Sequence, residues 1–210
     1  MSPIHREDAG CEFQAKDACA DRTVDERHRV LYQRALPYLH TRCNDIHTLV
    51  AYQQAKLLLS HYPDADDRVV LPAVLLHDVG WSAVPESSHS TAFGPRMSNP
   101  ALQRLHETEG ARIATAILLE LGVDAATREE VAAIVDGHDT RPNALSRNDE
   151  LVRDADRLWR FTPPGTRIDS RRFGMTPAEH FAWLEAGIDS WLSTPEAKRL
   201  ARAYLAEGPR

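Results

Sequence analysis

Apolar residues along this chain recur at spacings of three and four, the repeat of one face of a helix. They predict helices over about 45–61, 101–121, 125–136 and 148–160. In the last of these, Leu151, Val152, Ala155 and Leu158 form a stripe that would face a core. Strand-like alternation is nearly absent, so the pattern predicts an all-α helical bundle.

Capping and turn residues predict where further elements begin and end. The segments 176–179 (TPAE) and 194–197 (TPEA) have the form of helix N-termini. A first helix is expected to start near Thr23 and to be kinked or ended by Pro37. The run 163–165 (PPG) is predicted as a turn. Residues 81–100 are predicted as a long loop, which could serve as a rim or lid.

The length of 210 residues predicts one domain over 23–210, preceded by a polar N-terminal extension, 1–22, that is expected to be flexible. Acids and bases intermingle in a net charge of −6, and the absence of a basic block argues against nucleic acid as the main partner. The sequence has neither an apolar signal core nor a run near the ~20 apolar residues of a membrane span. A cytoplasmic protein without a membrane partner is therefore expected.

One run departs from simple core patterning, because the apolar stretch 71–76 leads directly into His77 and Asp78. Gly80 follows and is expected to end the helix in a left-handed conformation. Burying a carboxylate beside an imidazole costs several kcal/mol, by the usual magnitudes for buried charge, unless a cation compensates. The run therefore predicts a metal ion and further ligands elsewhere in the chain.

Four further residues could supply those ligands, since each lies at the edge of a predicted apolar face: His47, His106, His138 and Asp156. Taken singly, each has an ordinary alternative as a capping, turn or solvated side chain. Helical spacing does not separate Asp156 from Asp154, since both border the same stripe. The six other histidines are expected on the surface: His5, His28, His40, His61, His89 and His180.

The ordered pattern of His47, the His77-Asp78 pair and Asp156 resembles the HD-domain superfamily of metal-dependent phosphohydrolases. The local sequences HDVG, LHETEGARIATAILLELG, IVDGHD and LVRDADRLWRF carry the same resemblance, which covers about 45–161. In that family the last metal-binding acid stands in an Ala-Asp-x-hydrophobic context, which matches Ala155-Asp156-Arg157-Leu158. The resemblance therefore assigns the ligand role to Asp156 and leaves Asp154 as the alternative.

The resemblance implies a site with one or two divalent ions, Mn²⁺, Mg²⁺, Fe²⁺ or Zn²⁺. It assigns His47, His77, Asp78 and Asp156 to the metal. Asp78 would bridge two ions or orient the attacking water. His106 and His138 would bind a second ion or act on the substrate phosphate. Arg157, and more weakly Arg112, are candidates for phosphate contact.

The implied function is hydrolysis of a phosphate ester or anhydride of a small molecule, with a nucleotide favoured because the chain is a small stand-alone member. The absence of a GYP sequence after His77-Asp78 disfavours a cyclic dinucleotide hydrolase. Two alternatives stay open. One is a di-iron oxygenase of the same fold that uses O₂ on a phosphonate or polyol, and the other is a non-catalytic nucleotide-binding module. A homo-oligomer is also open.

Overall fold

The computed structural model describes residues 24–95 and 97–208. Its longer helices are α1 (Arg29–Leu39), α2 (Asn44–Leu59), α3 (Asp67–Leu76), α5 (Pro100–Glu120), α6 (Ala125–Val135), α7 (Arg147–Leu158), α8 (Pro163–Phe173), α9 (Pro177–Trp191) and α10 (Pro195–Ala206). A single turn, α4 (His89–Ala92), and 3₁₀ turns at Glu26–His28, Val79–Ala83, Glu86–Ser88 and Trp159–Phe161 complete the order. The described residues contain no strand, and the all-α prediction is confirmed.

Helix α3 is the centre of the bundle, and every residue from Val69 to Leu76 is buried. Asp66 caps its start by accepting a hydrogen bond from the backbone N–H of Arg68. The helix packs against α2, α6 and α7, whose inward residues include Leu58, Ile134 and Leu151. A helix that is apolar on all sides must be covered on all sides, so α3 ends deep inside the protein.

The predicted helix starts near the C-terminus form as expected. Thr176 makes a capping box with Glu179, and Thr194 accepts a hydrogen bond from the N–H of Ala197. Helix α1 includes Pro37 and ends at Leu39.

Two expectations about turns and loops are wrong. Thr162 caps α8, so the prolines at 163 and 164 open a helix instead of a turn, as the fixed φ of proline allows. Residues 81–100 are partly helical, in two 3₁₀ turns and α4. Their apolar side chains Trp81, Val84, Ala92 and Phe93 pack together with Phe173 in a second small core, which gives the segment its order.

Gly80 has a different role from the predicted one. It lies inside the 3₁₀ turn Val79–Ala83 and does not adopt a left-handed conformation. A Cβ atom at Gly80 would stand 1.8 Å from the carbonyl oxygen of His106 and 2.4 Å from the N atom of Gly110. Glycine is therefore required for the close approach of α5, which places His106 beside His77 and Asp78.

We expect Gly80→Ala to destabilise the protein by about 1–3 kcal/mol or more, because backbone atoms must move to admit the methyl group. Gly110→Ala is the matched comparison. Its Cβ would meet first a methyl of Val135 at 3.1 Å, and a side chain can shift more easily. Thermal unfolding of both variants checks the prediction, and an unchanged midpoint for Gly80→Ala would contradict it.

None of the described helices combines the length and the apolar character needed to cross a membrane. The predicted N-terminal extension, 1–22, lies outside the described residues, and the division into an extension and one domain stays a prediction.

Candidate metal centre

The first group of converging side chains comes from three helices. His47 lies in the first turn of α2, His77 directly follows α3, and Asp156 lies near the end of α7. The Nε2 atom of His47 is 3.0 Å from Nε2 of His77 and 2.9 Å from Oδ1 of Asp156. His77 Nε2 is 3.4 Å from the same carboxylate oxygen. Three ligand atoms thus meet at one buried point.

Asp78 connects this group to a second one. Its Oδ1 atom lies 3.7 Å from Nε2 of His77, 3.8 Å from Nε2 of His138 and 4.0 Å from Nε2 of His106. The Nε2 atoms of His106 and His138 are 3.4 Å apart. All six predicted ligands therefore form one continuous cluster, with Asp78 between its two halves.

Asp139 is a further member that sequence reasoning missed. Its Oδ2 atom lies 3.7 Å from Nε2 of His106, and its side chain is 27% exposed, whereas its neighbours are buried. The ligand atoms of His106, His138 and Asp139 lie within 4.8 Å of one another. A signal was present, since His138-Asp139 repeats the order of His77-Asp78 at the end of another helix.

Backbone carbonyls orient two of the imidazoles. His77 Nδ1 lies 2.7 Å from the carbonyl oxygen of Val74, and His138 Nδ1 lies 2.9 Å from that of Val135. A carbonyl only accepts, so Nδ1 carries the proton and Nε2 turns toward the cluster. This is the usual second-shell arrangement of a metal-binding histidine.

Two indole rings border the cluster. Trp81 stacks on His106 with ring centroids 4.1 Å apart, and its Nε1–H donates to Oδ1 of Asp78 at 3.0 Å. Trp159 lies against His47 with centroids 4.6 Å apart. The indoles restrict the rotation of these ligands and keep water away from them.

Glu107 fixes the turn that carries His138 and Asp139. This fully buried carboxylate accepts hydrogen bonds from the backbone N–H groups of Asp139 and Thr140 and from the Thr140 hydroxyl, and it pairs with Arg104. Its position directly after His106 lets α5 supply both a ligand and the support for two others.

The electrostatics of the cluster favour bound cations. Burial raises the pKa of Asp78, but the neighbouring His77 and His138 outweigh it and hold the pKa well below its usual range. For Asp156, burial is likewise outweighed by hydrogen bonds from His47 and His77, which lower its pKa. Both carboxylates are therefore ionised in a low-dielectric environment, where unpaired charge is costly.

The two histidines of the second group differ in protonation. Burial, together with the charge of His138, lowers the pKa of His106 to about 4, so its imidazole is neutral and able to act as a ligand. Burial also lowers the pKa of His138, but Asp78 and Asp139 outweigh it and raise the pKa to about 10. A metal ion at this position would compete with the His138 proton.

The donor set fits a divalent metal ion. Imidazole nitrogens and carboxylate oxygens suit Mn²⁺, Fe²⁺ and Zn²⁺, and mixed ligation of this kind does not choose among them. Three carboxylates, Asp78, Asp139 and Asp156, would balance much of the charge of one or two such ions. The described residues can thus hold a metal, whose identity the ligands leave open.

The structure places Asp156 in the cluster and Asp154 outside it. Asp154 points away from the cluster and accepts hydrogen bonds from the backbone N–H groups of Ser193 and Thr194, at 2.7 and 2.8 Å.

Arg157, the predicted phosphate contact, donates from Nη1 to the carbonyl oxygen of Trp191 at 2.5 Å. Its role toward a substrate stays a prediction.

The expectation that the remaining histidines are on the surface is wrong for three of them. His28, His89 and His180 are buried. His28 Nδ1 lies 2.8 Å from the Tyr52 hydroxyl, and His89 Nε2 lies 2.9 Å from the Val84 carbonyl oxygen. Local polar partners of this kind cannot be read from helical periodicity. His5 lies outside the described residues.

Comparison with known families gives one match. The HD domain family profile matches residues 44–160, more than half of the chain. This range contains all members of the cluster, from His47 to Asp156. No curated protein sequence and no solved structure matches the chain significantly.

Proposed function

The chain belongs to the HD-domain family, and from that premise we propose that it is a metal-dependent phosphohydrolase. Proteins with this domain are usually metal-dependent hydrolases. The proposed substrate is a small molecule that carries a phosphate ester or phosphoanhydride, most specifically a nucleotide.

The convergence of four imidazole Nε2 atoms with the carboxylates of Asp78, Asp139 and Asp156 carries the proposal. A purely structural His–Asp network would have little need for several Nε2 atoms to face one another at 3.0–3.4 Å. Nitrogens at such distances repel unless a proton or a cation lies between them. The cluster therefore has the properties of a ligand set.

We assign His47, His77, Asp78 and Asp156 to one metal position, and His106, His138 and Asp139, with Asp78 shared, to a second. A bound divalent cation supplies Lewis acidity to a phosphoryl oxygen and lowers the pKa of a water molecule. Asp78, held by the Trp81 indole N–H, would orient the attacking water. With the second position empty, the protonated His138 would instead neutralise charge that develops on the phosphoryl group, and the neutral His106 would lie beside it.

Asp139 is the proposed acceptor for the proton of the attacking water. It is the cluster carboxylate with the largest exposed fraction, and it therefore has the readiest exchange with solvent. Glu107 holds its backbone in place, so the carboxylate can take a proton without movement of the turn.

We expect the purified protein, reconstituted with Mn²⁺, to release phosphate or pyrophosphate from members of a nucleotide panel. Chelation should abolish the release, and added Mn²⁺ should restore it, because the bound cation supplies the Lewis acidity and lowers the pKa of the attacking water. The measurements are colorimetric phosphate release and metal analysis of the isolated protein.

The same experiment separates the alternatives. Two irons per chain, with O₂ consumption on a phosphonate or polyol and no phosphate release, would contradict the phosphohydrolase and indicate a di-iron oxygenase. Nucleotide binding without turnover at any metal loading would indicate the non-catalytic module.

A further inference from the structure

Arg42 occupies an unusual position five residues before His47. It joins α1 to α2 with φ of +57°, and Cys43 follows at +56°. Its guanidinium carbon lies 3.8 Å from the ring centroid of Trp81 and 3.7 Å from that of Phe93. The backbone geometry and the two rings together hold the planar guanidinium in one orientation.

The polar atoms of this guanidinium are incompletely satisfied. Nε and Nη1 are inaccessible to solvent and have no hydrogen-bond partner among the described residues. None of the carboxylates in residues 24–95 and 97–208 forms an ion pair with Arg42. Burial lowers its pKa to about 9 against the attraction of Asp78, so an added anion would stabilise its charge.

Two further arginines increase the positive charge around Arg42. Arg172 donates from Nη2 to the carbonyl oxygen of Arg42, and its guanidinium lies 5.3 Å from the Phe93 ring centroid. Arg172 and Arg160 both pair with the buried carboxylate of Asp169, at 2.8 and 2.6 Å. Arg172 and Arg160 therefore share the Asp169 carboxylate, and their two positive charges add to that of Arg42.

A packing role alone does not account for these observations. Stacking on aromatic rings stabilises an arginine without using its N–H groups, but each buried unpaired N–H has a cost of about 1–3 kcal/mol by usual magnitudes. The planar fork of donors matches two oxygens of a phosphate group. Trp81 connects this arginine to the metal cluster, since it stacks on His106 and donates to Asp78.

We propose that Arg42, supported by Arg172 and Arg160, forms a binding site for a phosphate group of the substrate beside the metal cluster. This inference rests on the proposed function for its choice of phosphate. Arg42 contacts the ligand. Arg172 is a positioning residue, which holds the backbone of Arg42 and is itself held by Asp169.

The test is the affinity of the metal-loaded protein for inorganic phosphate and pyrophosphate, measured by calorimetry. We expect Arg42→Gln to weaken binding of these anions about 10- to 100-fold, by the usual strength of hydrogen bonds to charged groups. Arg42→Lys, which keeps the charge but loses the fork, should fall between Arg42→Gln and the wild type. The metal content of both variants should equal that of the wild type.

Arg202→Gln is the matched control, because it removes the same charge from an exposed arginine of α10 that pairs with Asp189 of α9. An equal loss in this control would mean that net charge alone carries the effect and would overturn the inference. Unchanged phosphate affinity in Arg42→Gln would also overturn it. Acetate replaces phosphate in a parallel titration, and equal sensitivity of acetate binding to Arg42→Gln would overturn the choice of phosphate.

Turnover measurements distinguish this inference from the function on which it rests. If a nucleotide is hydrolysed, Arg42→Gln should raise KM more than it lowers kcat. Hydrolysis with normal KM in Arg42→Gln would reject the arginine site and leave the phosphohydrolase standing. Loss of anion binding in Arg42→Gln without any hydrolysis by the wild type would retain the site and reject the activity.

Discussion

The His77→Ala variant is expected to lose metal affinity by about 10²-fold or more, since even outer-shell changes weaken metal sites 10- to 100-fold. His77 supplies a ligand atom to two of the three overlapping groups in the cluster. Its loss should therefore empty the first proposed metal position and weaken the second only through Asp78, the ligand that both positions share. Metal analysis after reconstitution and dialysis measures the change.

Phosphate release by His77→Ala should fall on the order of 10³-fold, because a metal contributes several kcal/mol to charge stabilisation. His77 is fully buried, so His77→Gln is a second variant of closer volume that protects the result against misfolding. His40→Ala is the control, because His40 is exposed at the end of α1. Equal metal content in all four proteins would contradict the metal site itself.

Asp154→Asn and Asp156→Asn are expected to have opposite effects on metal retention although the two residues are separated by one position. Asp154→Asn should keep the metal and lower the free energy of unfolding by about 1–3 kcal/mol, because the two N–H groups donate to different carboxylate oxygens and the amide NH₂ that replaces one of them cannot accept. In a chain of this size each kcal/mol corresponds to about 2–4 °C in the unfolding midpoint.

Asp156→Asn should lose most of the metal, because it removes the carboxylate that faces His47 and His77. In metal-free protein its unfolding midpoint should also fall, because His47 and His77 lose the buried carboxylate whose pKa they lower, so metal retention is the result that separates the two variants. Thermal unfolding with and without Mn²⁺, together with metal analysis, measures both effects. Metal loss in Asp154→Asn with full retention in Asp156→Asn would reverse the assignment.

The helices are the part of the structure that local patterns predicted well. Apolar spacing located α2, α5, α6 and α7 to within two residues, and the caps Thr176 and Thr194 start helices as expected. The failures occurred where local signals compete. The prolines after Thr162 suit both a turn and a first helical turn, and the Thr162 cap together with the packing of Gly165 against the backbone of Trp159 favours the helix.

The sequence by itself determined the all-α class and the six predicted ligand candidates, because periodicity and the order of His and Asp residues are local properties of the chain. Only the tertiary structure decided that these side chains meet, that Asp139 joins them, and that Asp154 does not. It also decided that Arg42 lies beside Trp81 with N–H groups unpaired. The physical reason is that side-chain direction at a helix end, and the close approach permitted by Gly80, depend on how separate helices pack.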